Sequence, residues 1–196
     1  MQNGLHNLPQ PVKLFAIGPL LRYERPGMGR YRQHTQCSIE VMGEVDPATD
    51  AEIMGIVSDL YETLGISALN FDINSIGCPS CRPHYIKNVL VPWLEARYEH
   101  LGETDKMRLE KNPLRVLDTK DKIVRQLLED VPLISDYLCD ECRDHFLQLR
   151  HYLDLLGLKY QVNPLLVRGF DYYTKTVFEV QSGALNTSNN ALCGGG

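Results

Sequence analysis

Polar and apolar positions divide the chain into an extended beginning, a helical middle and an extended end. In residues 31–41, YRQHTQCSIEV, an extended backbone puts Arg32, His34, Gln36, Ser38 and Glu40, with Arg30 before them, on one face, and Tyr31, Gln33, Thr35, Cys37, Ile39 and Val41 on the other. The first face is wholly polar. Ahead of it, Val12 to Leu21 is apolar and long enough for a buried strand, and Pro26, Gly27 and Gly29 lie between the two arms. The pattern predicts a hairpin over 20–43. Ala68 to Ile76 alternates as well and predicts another strand.

Helical spacing appears next. Asp46 and Pro47 supply a cap and a first-turn proline for a helix from about 47 to 64, with Ile53, Ile56, Val57, Leu60 and Leu64 as its apolar face and Gly65 as its stop. Its expected role is scaffold. From about 82 to 156 the reading is helical throughout: Tyr85 to Leu101, divided by Pro92, a short apolar run Leu114 to Leu117, then Asp121 to Leu128 and Ser135 to Leu156, stopped by Gly157. Extended structure returns at Lys159 to Asn163 and Leu165 to Gln181. The fold class that follows is α+β, with a mostly helical insertion over 82–158 between 1–81 and 159–196.

Composition narrows the class. With 43% hydrophobic and 23% charged residues in 196, the chain reads as an ordinary soluble globular sequence, not a disordered one. No apolar run approaches the roughly 20 residues of a membrane span, and the start, MQNGLHNLPQP, lacks a basic segment followed by an apolar one, so no membrane and a cytoplasmic setting are expected. A net charge of −5 argues against general affinity for nucleic acid, so any RNA contact must be local. Against that background, four arginines (Arg22, Arg25, Arg30, Arg32) and one acid (Glu24) within 22–32 stand out. Along the polar strand face these cations give way to Gln36 and then Glu40, about 10 Å on at roughly 3.4 Å per residue. The gradient suits a zwitterionic ligand with a phosphate at one end. Arg168, flanked by apolar residues and followed by Gly169, is a second cation that is costly to bury unless it meets an anion.

Six cysteines carry another signal. Cys78-Pro-Ser-Cys81 and Cys139-Asp-Glu-Cys142 form two CxxC pairs separated by 57 residues. Without an export signal, disulfides are the poorer reading. Two readings stand: a structural four-thiolate zinc site, helped by Gly77, Pro79 and Pro83 at a tight knuckle, or plain packing of small apolar side chains.

The stretch Arg22-Tyr23-Glu24-Arg25-Pro26, followed by Gly29-Arg30-Tyr31-Arg32-Gln33 and Gln36, resembles motif 2 of the class II aminoacyl-tRNA synthetases, in the form found in histidyl-tRNA synthetases. A second stretch, LVRGFDYYTKTVFE at 166–179, resembles the histidine-specific signature of the same family. The resemblance implies the antiparallel sheet of the class II core and an insertion that approaches the tRNA acceptor arm. It also implies that the chain is an internal piece of a longer enzyme, without motif 1, motif 3 or the anticodon-binding domain. The implied reaction joins L-histidine to ATP, with Mg2+, and passes the histidyl group to tRNA(His); the implied assembly is a homodimer. By resemblance, Arg22 grips the α-phosphate and the histidine carboxylate, Glu24 sits near the adenine amino group and Arg30 reaches the outer phosphates. Arg168 stabilises the α-phosphate during attack, Gln36 holds the α-amino group, Glu40 and Tyr173 read the imidazole, and Tyr172 lines the pocket. The alternative is a synthetase-like regulatory subunit of ATP phosphoribosyltransferase, which usually erodes the second signature and lacks the insertion; here both are intact.

Overall fold

The computed structural model describes residues 4–23, 31–183 and 191–196. Glu24, Arg25 and Arg30 lie outside the described residues. Either side of them, β1 (Val12–Leu21) and β2 (Gln33–Met42) form the predicted hairpin, antiparallel in a register that runs from Val12 opposite Met42 to Leu21 opposite Gln33. The backbone N–H of Arg22 donates to Arg32 O at 2.7 Å and extends the ladder towards the loop. One expectation fails here: β1 is not a buried strand. Only Val12 is buried, while Phe15, Ile17 and Leu21 are 76%, 67% and 80% exposed. The hairpin is a two-stranded sheet, and among the described residues no second layer covers this face, so apolar side chains sufficient to make a strand are not sufficient to bury it. The polar side of β2 goes the other way. His34, Gln36 and Ser38 are half-buried, whereas Gln33, Thr35 and Cys37 are exposed.

Asp46 caps α1 (Pro47–Thr63) by accepting from the Ala48 N–H at 2.8 Å, Pro47 starts it, and Gly65 follows at φ +75°, a left-handed turn that glycine takes without strain. The buried face differs from the predicted one. Ala51, Met54 and Val57 face inward, while Ile56, Leu60 and Leu64 are 42%, 39% and 63% exposed. α1 packs against the last helix, with Ala51 in one core with Leu149 and Leu153 and Gly55 facing Leu156, small residues that counting large apolar ones does not detect.

A four-stranded sheet in the order β4-β3-β5-β6 comprises β3 (Leu69–Ser75), β4 (Tyr160–Val162), β5 (Thr176–Ser182) and β6 (Ala191–Gly195). It is mixed rather than wholly antiparallel: β4 runs parallel to β3, which the long helical connection between them allows, whereas β5 is antiparallel to both β3 and β6. The extended run predicted over Leu165 to Gln181 begins only at Thr176; residues 164–175 are an irregular loop with turns at 164–165 and 171–172. Phe71, Ile73, Phe178 and Val180 of this sheet, Ala51, Met54 and Val57 of α1, and Leu149 and Leu153 make one core.

Between β3 and β4 the chain is helical, as predicted, with altered boundaries. Helix α2 (Cys81–Tyr85) continues through a wide π turn (Ile86–Leu90) into α3 (Val91–Glu95). The widening immediately precedes Pro92, whose missing N–H cannot close an ordinary turn. Then follow α4 (Glu103–Lys111), α5 (Lys122–Leu127), capped by Asp121, and α6 (Asp140–Leu155). The predicted helix Ser135 to Leu156 is broken: a short 3-10 turn (Ile134–Tyr137) is followed by extended Leu138 and Cys139, so Cys139 stands before α6 and Cys142 within it. Tyr85, Leu90, Leu94, Val116, Val124 and Leu128 fill a second core. Asp105, 2% exposed, accepts from Thr119 Oγ1 at 2.6 Å and Arg108 at 3.0 Å, which satisfies its charge inside that core. Among the described residues no helix is long and apolar enough to cross a membrane.

Candidate functional site

The second arginine stretch is a loop held by its neighbours. Asn74 Nδ2, on buried β3, donates to the carbonyls of Pro164 and Leu166 at 3.1 Å each and fixes where the loop leaves the sheet. The loop re-enters at Lys175, at φ +58°, where Lys175 N donates to Gly77 O at 2.9 Å and Ile76 N to Lys175 O at 2.8 Å. Between these anchors, Tyr173 N reaches Phe170 O at 3.4 Å. A regular strand would have put Arg168 and Tyr173 on opposite faces; the turns bring both onto one cavity.

Arg168 Nη1 donates to Glu179 Oε2 at 2.5 Å, with 25% and 23% of the two side chains exposed. Its Nε is buried with no hydrogen-bond partner among the described residues, which leaves a donor for an acceptor entering the cavity. Glycines in and just after β6 make room for this group. A Cβ on Gly194 would lie 2.7 Å from Arg168 Cζ and Nη2 and 2.8 Å from Phe178 O, and one on Gly196 would lie 2.5 Å from the Tyr173 ring. The rings of Tyr172 and Tyr173 meet edge-on at 4.9 Å, with Phe170 at 5.4 Å from each. Burial, then the neighbouring Tyr172, raises the Tyr173 hydroxyl above its ordinary range, so it stays a neutral phenol that can both donate and accept.

On the hairpin side, Arg22 Nη2 donates to Gln36 Oε1 at 3.3 Å, and Gln36 Nε2 donates to Ser38 Oγ at 2.9 Å. These residues and Glu40 line a cavity of about 1250 Å³ whose far side is formed by Arg168, Tyr172, Tyr173 and Glu179. All six residues predicted to touch histidine therefore lie on one cavity, contributed by segments more than a hundred positions apart. Its floor was not anticipated. Helix α1, expected to be scaffold only, contributes Asp50 and Tyr61, and α6 contributes His145. Asp50 Oδ2 and His145 Nε2 are 3.8 Å apart; burial pushes the carboxyl up and the imidazole down, so both ionise less readily than in water. Glu179 was missed as well. The available signal was a lone acid in the apolar run TVFEV, the same argument that singled out Arg168.

The four cysteines of the two CxxC pairs converge, their sulfurs all within 4.8 Å of one another. Cys78 and Cys81 sulfurs are 3.7 Å apart, Cys78 and Cys139 3.9 Å, and Cys81 and Cys142 3.8 Å. A tetrahedron with metal–sulfur bonds of about 2.3 Å has edges of about 3.8 Å, so the spacing matches four-thiolate coordination, whereas a disulfide needs about 2.05 Å. Backbone N–H groups at Cys81 and Ser80 hold the Cys78 thiol down to about 6, while burial and the other three sulfurs push Cys142 up. Gly77, at φ +71°, is required at the knuckle, because a Cβ there would lie 2.8 Å from Cys81 Sγ.

A family profile described as histidyl-tRNA synthetase matches residues 1–79. The histidine–tRNA ligase of Desulforudis audaxviator is 47% identical over 180 residues, covering 92% of this chain and 43% of that protein. The histidine–tRNA ligase of Desulfitobacterium hafniense is 47% identical over 196 residues, covering 100% of this chain and 46% of that protein. The crystal structure of apo S. aureus histidyl-tRNA synthetase superposes with a TM-score of 0.77 at 34% identity, over 100% of this chain and 46% of that one. The chain thus spans about half the length of the curated relatives it matches. Sequence along its length and fold together show that the chain belongs to the histidyl-tRNA synthetase family, of which it is a partial region.

Proposed function

We propose that the polypeptide carrying this chain is a histidine–tRNA ligase that activates L-histidine with ATP and transfers it to tRNA(His). The observation that carries this reading is that Arg22 and Arg168 open on the same cavity as Gln36, Glu40, Tyr172 and Tyr173. In the first step an oxygen of the histidine carboxylate attacks the α-phosphorus of ATP. A carboxylate–phosphate bond forms, the bond to the β-phosphate breaks, and pyrophosphate leaves. Negative charge builds on the α-phosphoryl oxygens, and two guanidinium groups fixed beforehand stabilise it without reorganising. Glu179 holds Arg168 in place for this; Mg2+, where bound with ATP, would supply further neutralisation of phosphate charge. In the second step a hydroxyl of the terminal tRNA ribose attacks the histidyl carbonyl and AMP leaves.

Selectivity for histidine follows from complementary hydrogen bonding. The Glu40 carboxylate accepts from one ring N–H, the neutral Tyr173 phenol partners the other nitrogen, and Gln36 accepts from the α-ammonium. A side chain lacking either ring nitrogen leaves one of these groups unpaired. The division into a core (1–81 and 159–196) and an insertion (82–158) is supported by the two separate hydrophobic cores, although α6 contributes Cys142 to one and Leu149 and Leu153 to the other. The four-cysteine cluster is read as a structural zinc site: all four positions are filled by thiolates, so no open position remains for chemistry. Free thiols at such a cluster fit a reducing, cytoplasmic setting. A homodimer completes the reading, and the exposed apolar face of Phe15, Ile17 and Leu21 fits a polypeptide with further surfaces to cover.

The test is ATP–pyrophosphate exchange by the complete polypeptide. Exchange that depends on L-histidine supports the ligase; histidine binding without exchange favours the regulatory-subunit reading, against which the intact signature from Arg168 to Tyr173 argues.

A further inference from the structure

The loop that carries Arg168, Tyr172 and Tyr173 has little internal hydrogen bonding, and its outside is gripped by the cysteine knuckles. Arg82, the residue after Cys81 and half-buried, donates through Nη1 to Tyr173 O at 2.6 Å and through Nη2 to Asp171 O at 3.4 Å. Gly77, the residue before Cys78, accepts from Lys175 N. The second knuckle holds the same loop: Glu141, between Cys139 and Cys142, accepts from Lys175 Nζ at 2.7 Å. Both CxxC pairs therefore reach the loop, one through a guanidinium and a backbone carbonyl, the other through a carboxylate. The Tyr173 carbonyl that Arg82 holds belongs to the residue whose phenol faces the cavity.

We propose that Arg82 is a positioning residue for the amino-acid pocket, tying the Arg168–Tyr173 loop to the four-cysteine cluster so that metal in the cluster keeps the loop ordered. This deepens the zinc reading above and rests on it for its metal half. The physical reason is local: without a metal bonded to all four sulfurs nothing covalent joins the two knuckles, the segments that carry Arg82, Gly77 and Glu141 are free to separate, and a loop with few bonds of its own loses these outer supports. Arg82 touches no reacting atom; it acts on histidine through the loop.

Backbone hydrogen exchange of the complete polypeptide, read on peptides covering 166–176 and on α1 as a control, tests this with metal content measured alongside. For zinc-loaded Arg82→Ala we expect about one zinc per chain retained, exchange in 169–174 about tenfold faster, and α1 unchanged. Arg82→Lys, which keeps one donor to Tyr173 O, should recover part of that protection and covers the case in which the alanine variant folds poorly. Chelated wild type should exchange in 169–174 at least as fast as zinc-loaded Arg82→Ala, since it loosens the Gly77 and Glu141 ties as well. Loop exchange within about twofold of wild type in zinc-loaded Arg82→Ala overturns the positioning role. Metal released by chelator with no change in loop exchange, or a wild type that binds no zinc, overturns the metal half while the Arg82 comparison still reads the tie.

Discussion

The Arg168 guanidinium and the Glu179 carboxylate face each other at 2.5 Å across the turn that joins the signature loop to β5. The acid orients the cation without filling it, since Arg168 Nε remains available among the described residues. Removing the acid strands a three-quarters-buried guanidinium. Glu179→Ala should therefore lower the unfolding free energy by about 1 to 2 kcal/mol, less than for a fully buried pair because water still reaches both groups. Denaturant titration with unchanged slope checks this.

Glycine at 194 is demanded by the site. Gly194→Ala puts a methyl group 2.7 Å from the Arg168 guanidinium and 2.8 Å from the Phe178 carbonyl. The backbone carbonyl cannot yield cheaply, so the variant should lose about 1 to 3 kcal/mol of stability by overpacking and displace Arg168. Thermal unfolding together with histidine titration checks both parts, and histidine affinity should fall even at temperatures where the variant stays folded.

Acidification should weaken the fold through His145. Burial lowers its proton affinity, with Lys175 adding to the effect, while Asp50 and Asp46 oppose it. An imidazole held below its ordinary value contributes fully above about pH 6.5; below that the unfolded chain takes up a proton the folded chain resists, so stability falls with pH. Asp50 is raised, so its cost appears as pH climbs out of the acid range and becomes constant once the folded carboxyl has ionised. The fall in melting temperature between about pH 7.5 and about pH 5.5 should be smaller in His145→Gln than in wild type.

Local signals were legible where chemistry is local. The hairpin, the Asp46 cap, the Pro92 interruption and the paired CxxC knuckles each follow from a few adjacent residues. What the sequence hid was tertiary. The inward face of α1 turned on small Ala51, and the parallel β3–β4 pairing depended on where a long helical excursion returned. The loop over 168–175 looked like strand because its residues suit one, yet its shape is imposed by Asn74, Arg82 and Gly77, which lie some ninety positions earlier. The resemblance pointed to cavity-lining residues but assigned nothing to Glu179, although it closes the second signature, and Asp50 and His145 shape the cavity from outside both signatures.

Metal analysis of protein purified without chelator should give about one zinc per chain, and Cys142→Ser, at a sulfur with no exposure, should abolish it and lower the melting temperature. Unchanged zinc content in that variant would separate the metal from this cluster.

The most direct test is histidine-dependent ATP–pyrophosphate exchange by the complete polypeptide carrying Arg168→Ala. Loss of one fixed cation at the α-phosphate should cost about 2.7 to 4 kcal/mol of transition-state stabilisation, a rate lower by about a hundredfold to a thousandfold. Exchange close to the wild-type rate in a folded Arg168→Ala protein would contradict the claim that this guanidinium acts on the reacting phosphate.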